Sequence, residues 1–272
     1  MGPYLGGEMG WNLIIMEKID GIFGRTELLV GSAAMERIKN ARVIVFGTGG
    51  VGSWCIEALV RTGIGHLTLV DFDRVCESNI NRQLPATHST IGQLKVEAIA
   101  ARMRDINPDV DITLRCEMYD STTADTFHLA DYDYVIDAID SLDCKALLIC
   151  RACEAGTRTR LFSSMGAALK LDPSRIAVAE FWKVKGDALA AALRRRFKKT
   201  GQFPCRKFRC VYSDEMVPNA LAQPEENLTM TLAGATSAPR KRVNGTLAHI
   251  TAIFGLTLAS LVVRDLLSRP QQ

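Results

Sequence analysis

Short runs rich in apolar residues recur along the first 166 residues, and stretches with apolar positions at helical spacing lie between them. Apolar runs of about four to eight residues are typical of buried strands, and the helical spacing is typical of amphipathic helices. We predict strands at residues 43–46, 67–70, 110–118, 134–136 and 160–164, and helices at residues 25–39, 54–60, 92–106, 122–129 and 141–154. This alternation predicts an α/β fold with a doubly wound, mostly parallel sheet.

The pattern changes after Gly166, where short strand-like runs and helical stripes predict a C-terminal α+β extension. The predicted elements of the extension are a strand pair at residues 171–184, a helix after Asp187, a strand at 208–212, a turn-rich segment at 218–241 and a helix at 245–267. The predicted organisation is a leader at residues 1–24, a nucleotide-binding unit at 25–166 and the extension at 167–272.

The first strand leads into a glycine-rich turn, Gly47-Thr48-Gly49-Gly50-Val51-Gly52, that enters the next helix. Glycine permits the tight turn, and bare backbone N–H groups can approach a phosphate at the positive end of the helix. The second strand ends at Asp71, 24 residues beyond Gly47, where a carboxylate can accept hydrogen bonds from a ribose. This order predicts a Rossmann-like nucleotide site, and a tight turn without a ligand is the alternative.

Charged and polar residues follow the second and fourth strands, at the sheet edge where ligands of open α/β sheets bind. Arginine and lysine beside a phosphate chain stabilise the charge that develops in phosphoryl or adenylyl transfer. An NAD-dependent oxidoreductase leaves these cations without a role, because hydride transfer builds no charge on the phosphates. The alternative for the cations is that they are solvated surface residues. The alternative for the aspartates is that they stabilise turns or cap helices. The candidates are Asp71, Asp73, Asn79, Arg82, Gln83, Lys95, Asp137 and Asp140.

Five ordered motifs, GTGGVGS, DFD, SNINRQ, the following lysine and DAIDS, resemble the adenylating superfamily of ubiquitin-activating enzymes over residues 25–164. Bacterial members of that superfamily activate the sulfur-carrier proteins of thiamin and molybdopterin synthesis. The resemblance implies that Asp71 and Asp73 lie beside the ribose and metal, and that Asp140 coordinates Mg²⁺. It further implies that Asn79, Arg82 and Lys95 hold the triphosphate of ATP, and that the glycines and Gln83 complete the site. Arg25 matches an arginine that reaches into the partner subunit's site, which implies a homodimer.

Within the superfamily, RTELLVG, VCESNINRQ, SSMGAALKLDP and RCVYSDE are most similar to the tRNA threonylcarbamoyladenosine dehydratases. This resemblance implies ATP-dependent dehydration of N6-threonylcarbamoyladenosine at position 37 of tRNA to its cyclic form, through adenylation of the threonyl carboxylate. The alternative is an adenylating enzyme that activates the C-terminal Gly-Gly of a small ubiquitin-like sulfur-carrier protein. A non-catalytic scaffold that retains nucleotide binding is a further alternative. A sulfur-transfer protein is a candidate partner that the residues do not identify.

A tRNA substrate requires basic surface, because phosphate contacts dominate affinity for nucleic acid. The net charge of +3 is too mild to diagnose such binding, so local clusters must decide. Three clusters lie in the extension, at residues 194–199, 206–209 and 240–242. We expect the first to contact tRNA through Arg194, Arg195, Arg196, Lys198 and Lys199. Aromatic residues are few in this region, so the sequence alone does not predict base stacking.

Eight scattered cysteines in an α/β enzyme indicate reduced thiols and a cytoplasmic location. Carrier activators commonly hold zinc with two CxxC pairs, but only Cys150 and Cys153 have that spacing here, so we expect no zinc. We interpret this pair as helix packing, and the remaining cysteines, including Cys210, as structural. The final helix includes His249 and is interrupted by Gly255, so we expect a buried helix rather than membrane contact.

Overall fold

Seven strands form one sheet in this computed structural model, which describes residues 21–221 and 243–269. The order across the sheet is β3-β2-β1-β4-β5-β7-β6, and every neighbouring pair is parallel except β7 and β6. This arrangement confirms the predicted mostly parallel α/β fold. The strands are β1 (Arg42–Phe46), β2 (His66–Val70), β3 (Asp111–Arg115), β4 (Tyr134–Asp137), β5 (Arg160–Ser164), β6 (Ile176–Glu180) and β7 (Arg209–Ser213).

Helices cover both faces of this sheet. The helices of the described residues are α1 (Gly24–Val30), α2 (Ser32–Asn40), α3 (Gly52–Thr62), α4 (Lys95–Ile106), α5 (Leu142–Glu154), α6 (Ala188–Thr200) and α7 (Ala248–Ser268). The single helix predicted at residues 25–39 is wrong, because Gly31 adopts a φ of 81° and separates α1 from α2. Apolar spacing continues across the break, so the sequence pattern concealed it.

Three other predicted elements differ from the structure. The strand pair at 171–184 is one strand, β6, which pairs antiparallel with β7. Asp172 accepts a hydrogen bond from the Ser174 N–H and caps a short 3₁₀ turn, so Asp172-Pro173 does not connect two paired strands. The helix predicted at 122–129 is a 3₁₀ segment at Ala124–Phe127, and the third strand is shorter than predicted. The leader up to residue 20 and residues 222–241 of the turn-rich segment lie outside the described residues.

Alternate residues of β1 serve two separate hydrophobic clusters, as expected for a strand buried on both faces. Val43 and Val45 pack in the cluster that contains α3, α4 and α7 residues. Ile44 and Phe46 pack in the cluster of α5 and α6 residues. Val211 of β7 joins the first cluster and Cys210 the second, so the C-terminal extension shares the sheet and the core of the nucleotide-binding unit.

The long apolar helix α7 lies across α3, and Gly255 marks their closest approach. A Cβ atom at Gly255 would collide with the Val51 carbonyl and crowd the Trp54 side chain. Phe254 and Leu258, on either side of this point, are fully buried. By length and composition α7 is the one helix among the described residues that could cross a membrane, yet half of its apolar window is buried inside the protein.

Candidate active site

The predicted nucleotide-site residues, except Arg25, lie on the turn and loops at one edge of the sheet, where β1, β2 and β4 end. Phe46, the last residue of β1, is in register with Val70 of β2 and Asp137 of β4. Gly47, Asp71 and Ala138 therefore leave the sheet side by side. Because β2 and β4 flank β1, and their chain connections run in opposite directions, this edge is a switch point where open α/β sheets bind ligands.

Two glycines of the turn are required by contacts between backbones. Gly47 has a φ of 87°, and a Cβ there would lie 2.7 Å from the Ala138 carbonyl oxygen. A Cβ at Gly52 would collide with the carbonyl of Gly47. No side chain among the described residues caps the start of α3, and the Ser53 N–H donates to the Gly49 carbonyl. The positive end of the helix and the N–H groups of the preceding turn suit an anion. The turn is therefore suited to cradle phosphate.

Asp71 organises the glycine turn. Its Oδ2 accepts hydrogen bonds from the Thr48 backbone N–H (2.8 Å) and the Thr48 hydroxyl (3.0 Å). Its Oδ1 accepts a third from the Asp73 N–H at 2.9 Å. The sequence predicts a ribose ligand for Asp71, and the geometry adds a second task, which is to join the loops after β1 and β2. An ionised carboxylate has about four acceptor positions, so a ribose hydroxyl still has room.

Asp73 and Lys95 form an ion pair, with Lys95 Nζ 2.7 Å from Asp73 Oδ2. The lysine side chain is nearly buried at the start of α4, whereas the carboxylate is half exposed. The Lys95 N–H also donates to the Asp73 carbonyl at 3.0 Å. Burial and the ion pair fix the direction of the ammonium group, which suits the predicted contact with a phosphate.

The loop after β2 carries Asn79, Arg82 and Gln83. Asn79 Oδ1 accepts from the Cys76 N–H at 3.1 Å and closes the first turn of this loop. The aliphatic stem of Arg82 lies over the glycine turn, with its Cγ 3.5 Å from where a Gly50 Cβ would be. Gln83 is buried beside Gly49, and its Oε1 has no hydrogen-bond partner among the described residues. The three residues therefore lie on one loop beside the glycine turn, and their phosphate contacts stay a prediction.

The turn after β4 presents the exposed Asp140 above a fully buried ion pair. Lys145 Nζ lies 2.9 Å from Asp137 Oδ2, and neither side chain is exposed. The same ammonium group donates to the Ile139 carbonyl at 3.0 Å, and the Ser163 hydroxyl donates to Asp137 at 2.6 Å. Lys145 thereby holds the turn that carries Asp140. The sequence reasoning missed Lys145, although a lysine beside the apolar run ALLIC of a helix was a visible signal.

Mg²⁺ prefers oxygen ligands, keeps several waters and is held in nucleotide sites by one or two carboxylates together with phosphate oxygens. An exposed carboxylate at Asp140, on the turn after β4, fits that donor set. No group of three or more His, Cys, Asp or Glu side chains that could hold a metal by itself occurs within residues 21–221 and 243–269.

Arg25 does not join the site of its own chain. Phe23, two residues earlier, packs beside Gly63 at the far end of α3, whereas the glycine turn begins that helix. The eleven residues of α3 span roughly 16 Å, which exceeds the reach of an arginine side chain. Arg25 is exposed on α1.

Some basic side chains of α6 have hydrogen-bond or ion-pair partners within the protein, and others are exposed. Arg194 Nη1 donates to the Phe181 and Val184 carbonyls, and Arg196 pairs with Asp143 at 2.6 Å. These two arginines fix neighbouring segments. The predicted tRNA contact of all five basic residues stays a prediction, and Arg194 and Arg196 already have partners within the protein. The exposed members are Arg195, Lys198 and Lys199. The third predicted cluster, at residues 240–242, lies outside the described residues.

Three of the cysteines, Cys150, Cys153 and Cys210, pack inside the protein, whereas Cys76, Cys116 and Cys205 are exposed. Cys153 Sγ donates to the Arg206 carbonyl at 3.7 Å, and burial raises the pKa of this thiol to about 11. Cys150 on the same helix is partly buried, and burial likewise raises its pKa to about 11. Cys210 lies in the core, where burial raises its pKa well above the ordinary value. These thiols stay protonated near neutral pH, so they are poor nucleophiles.

A model of the ThiF family matches residues 23–272 of the chain. The chain is 37% identical over 259 residues to the tRNA threonylcarbamoyladenosine dehydratase of Escherichia coli K12, a match covering 91% of this chain and 94% of that protein. The crystal structure of the E. coli dehydratase, TcdA, in complex with ATP is similar with a TM-score of 0.77 and 33% identity. That similarity covers 90% of this chain and 93% of that chain.

A second enzyme class matches over a shorter stretch. The molybdopterin-synthase adenylyltransferase of E. coli K12 is 36% identical over 107 residues, which is 39% of this chain and 43% of that protein. The similarity to the dehydratase therefore extends well beyond what is shared with that adenylyltransferase.

Replacing Lys145 should damage both the fold and the site. Lys145→Met leaves Asp137 as an unpaired buried charge, so we expect the free energy of unfolding to fall by about 3–5 kcal/mol in urea titrations. The double variant Asp137→Asn/Lys145→Met removes the charge as well, and should recover part of the loss. An unfolding midpoint for Lys145→Met equal to that of the original protein would contradict this interpretation of the buried pair.

Proposed function

The chain belongs to the ThiF family, and we propose that it is an ATP-dependent dehydratase of the N6-threonylcarbamoyl modification at adenosine 37 of tRNA. One observation carries the assignment, namely that the similarity to the E. coli dehydratase covers 91% of the chain, including the C-terminal extension. The nucleotide site supports it, because the glycine turn, Arg82, Lys95 and Asp140 meet at one sheet edge. The chemistry is adenylation followed by ring closure.

In the first step, an oxygen of the threonyl carboxylate attacks the α-phosphorus of ATP, and the bond from that phosphorus to the β-phosphate oxygen breaks. Pyrophosphate leaves, and a mixed anhydride of the carboxylate and AMP remains. Negative charge grows on the phosphate oxygens during this step, and Arg82 and Lys95 stabilise it. Mg²⁺ held by Asp140 and the phosphates would neutralise part of the same charge.

In the second step, a nitrogen of the same modification attacks the activated carbonyl carbon. The carbon–oxygen bond to AMP breaks, AMP leaves with the former carboxylate oxygen, and the nitrogen releases its proton. The nucleoside has then lost one water and gained a ring. This route uses no enzyme nucleophile, in agreement with the buried and protonated Cys210.

We propose a homodimer in which Arg25 of one subunit completes the site of the other. The separation of Arg25 from the glycine turn of its own chain supports this arrangement. The surface around it also suits an interface, since Leu28 and Leu29 on the same short helix are 61% and 86% exposed, and Ile22 is 67% exposed. A cluster of exposed large apolar residues is typical of a surface that another chain covers.

The tRNA contact is proposed to centre on the exposed part of α6. Residues 181–209 contain ten Lys and Arg and one Asp, although the whole chain has a net charge of only +3. Beside the exposed cations, Trp182 and Phe203 are 41% and 50% exposed, with ring centroids 6.3 Å apart. Cations with neighbouring exposed aromatic rings are the combination that binds RNA backbones and unpaired bases. A tRNA substrate also favours the cytoplasmic location predicted from the cysteines.

The proposed function is tested with purified protein, Mg-ATP and tRNA that carries the threonylcarbamoyl modification. Mass spectrometry of the digested nucleosides should show the loss of one water, dependent on ATP. Asp140→Asn should abolish this loss in a protein that still folds, because it removes a metal ligand and keeps the size of the side chain. No mass change, together with ATP–pyrophosphate exchange stimulated by a carrier protein that ends in Gly-Gly, would move the chain to the alternative class.

The shared site predicts complementation between two inactive variants. Arg25→Ala and Asp140→Asn should each be inactive alone. When the two variants are refolded together, random pairing makes half of the dimers heterodimers, and each heterodimer has one intact site out of two. The mixture should therefore recover about one quarter of the original activity. If Arg25 acts within its own chain, no mixture will exceed the activity of the separate variants.

The exposed cations of α6 should account for part of the salt dependence of tRNA binding. Replacing Arg195, Lys198 and Lys199 by Ala should reduce the slope of log K against log salt by about two to three units, with ATP affinity unchanged. Lys39, Arg158 and Arg264 are exposed outside this region and give a control triple variant with the same change of charge. Equal salt-dependence slopes for the two triple variants would contradict a tRNA contact at α6 and would mean that its exposed cations are only solvated.

A further inference from the structure

The side chain of Asn81 connects the candidate phosphate-binding arginine to the C-terminal helix. Its Oδ1 accepts a hydrogen bond from Arg82 Nη1 at 2.8 Å. Its Nδ2 donates to the Thr246 carbonyl at 3.0 Å, two residues before α7 begins. Asn81 is exposed and belongs to no hydrophobic cluster among the described residues, so its role is in these two bonds and not in the core.

Within residues 21–221 and 243–269, the Arg82 guanidinium donates two side-chain hydrogen bonds, both from Nη1. Nη1 donates to the Ser78 carbonyl at 2.8 Å and to Asn81 Oδ1. An arginine fork has five N–H donors in a rigid plane, so anchoring Nη1 leaves the edge formed by Nε and Nη2 for a phosphate. The anchored nitrogen fixes the direction of that edge.

The backbone and the aliphatic stem of Arg82 are held by residues at the crossing of α3 and α7. Its carbonyl accepts from the Trp54 indole N–H at 3.2 Å, and Trp54 lies on α3 at the crossing with α7. Thr251 of α7 lies against the glycine turn, since its Cγ2 is 3.1 Å from where a Gly50 Cβ would be. The stem of Arg82 is thus confined between the glycine turn and α7, and the remaining freedom is in the guanidinium that Asn81 holds.

The start of α7 has other attachments that do not involve Arg82. The Asn219 side chain binds this segment through both ends of its amide. Its Nδ2 donates to the Val243 carbonyl at 3.1 Å, and its Oδ1 accepts from the Gly245 N–H at 2.9 Å. The Leu169 N–H donates to the Gly245 carbonyl at 2.9 Å. Loss of Asn81 therefore leaves residues 243–247 in place, and Asn219 offers a matched comparison.

We propose that Asn81 is a positioning residue, whose amide aligns the Arg82 guanidinium for the nucleotide phosphates by fixing it to the start of α7. This assignment deepens the proposed function and rests on it only for the identity of the second substrate. The arginine is aligned before ATP arrives, so less of the binding free energy is spent on ordering a flexible side chain.

The test is a double-mutant cycle on ATP affinity, measured by calorimetry with Mg-ATP and the full chain in the absence of tRNA. Asn81→Ala should weaken ATP binding by about tenfold in the original background, which is the order expected for one hydrogen bond to a charged group. In the Arg82→Ala background the same substitution should change affinity by less than about twofold, because the group that it aligns is absent. Melting temperatures confirm that each variant is folded.

Asn219→Ala provides the control, since it loosens the same chain segment without touching Arg82. We expect its ATP affinity to match that of the original protein. Equal losses for Asn81→Ala and Asn219→Ala, or an Asn81 effect that persists without Arg82, would overturn the proposal. ATP binding with the expected coupling but no tRNA dehydration would overturn the proposed function alone.

Discussion

The close approach of backbone to backbone at the glycine turn is the constraint on which the rest of the site depends. Gly47 lies so near the Ala138 carbonyl that a single added carbon would separate the ends of β1 and β4. Contact between these two ends places the turn that carries Asp140 beside the glycine turn. Asp71 ties the end of β2 to the same turn through Thr48. Three strand ends therefore form one rigid edge, and charged side chains on their loops acquire fixed relative positions.

The C-terminal extension is a structural part of this nucleotide site. Strands β7 and β6 continue the sheet past β5, and α7 returns across α3 to reach the glycine turn. Gly255 permits that crossing, and Thr251 and Asn81 then connect the helix to the loop of Arg82. The region that carries the basic helix is thus mechanically joined to the region that binds ATP. An enzyme that must bring a large RNA to an activated phosphate benefits from such a connection.

Much of the fold, and the grouping of the candidate nucleotide-site residues at one sheet edge, could be predicted because both are local in sequence. Apolar runs reveal buried strands such as β1, and the residues that follow each strand share one edge by topology alone. What failed depended on distant partners or on a single dihedral angle. The sequence could not show that β6 pairs with β7, or that Gly31 interrupts a continuous helical stripe. Nor could it show that Arg194 and Arg196 are engaged while Arg195 is exposed, because their internal partners lie on other segments.

The central claim is that the threonyl carboxylate itself is adenylated, and oxygen tracing tests it most directly. Modified tRNA carrying ¹⁸O in that carboxylate would be incubated with the protein and Mg-ATP, and the released AMP and pyrophosphate analysed by mass spectrometry. Attack on the α-phosphorus followed by ring closure transfers one labelled oxygen to AMP and none to pyrophosphate. Label that appears in pyrophosphate, in inorganic phosphate or in water, with unlabelled AMP, would contradict the account.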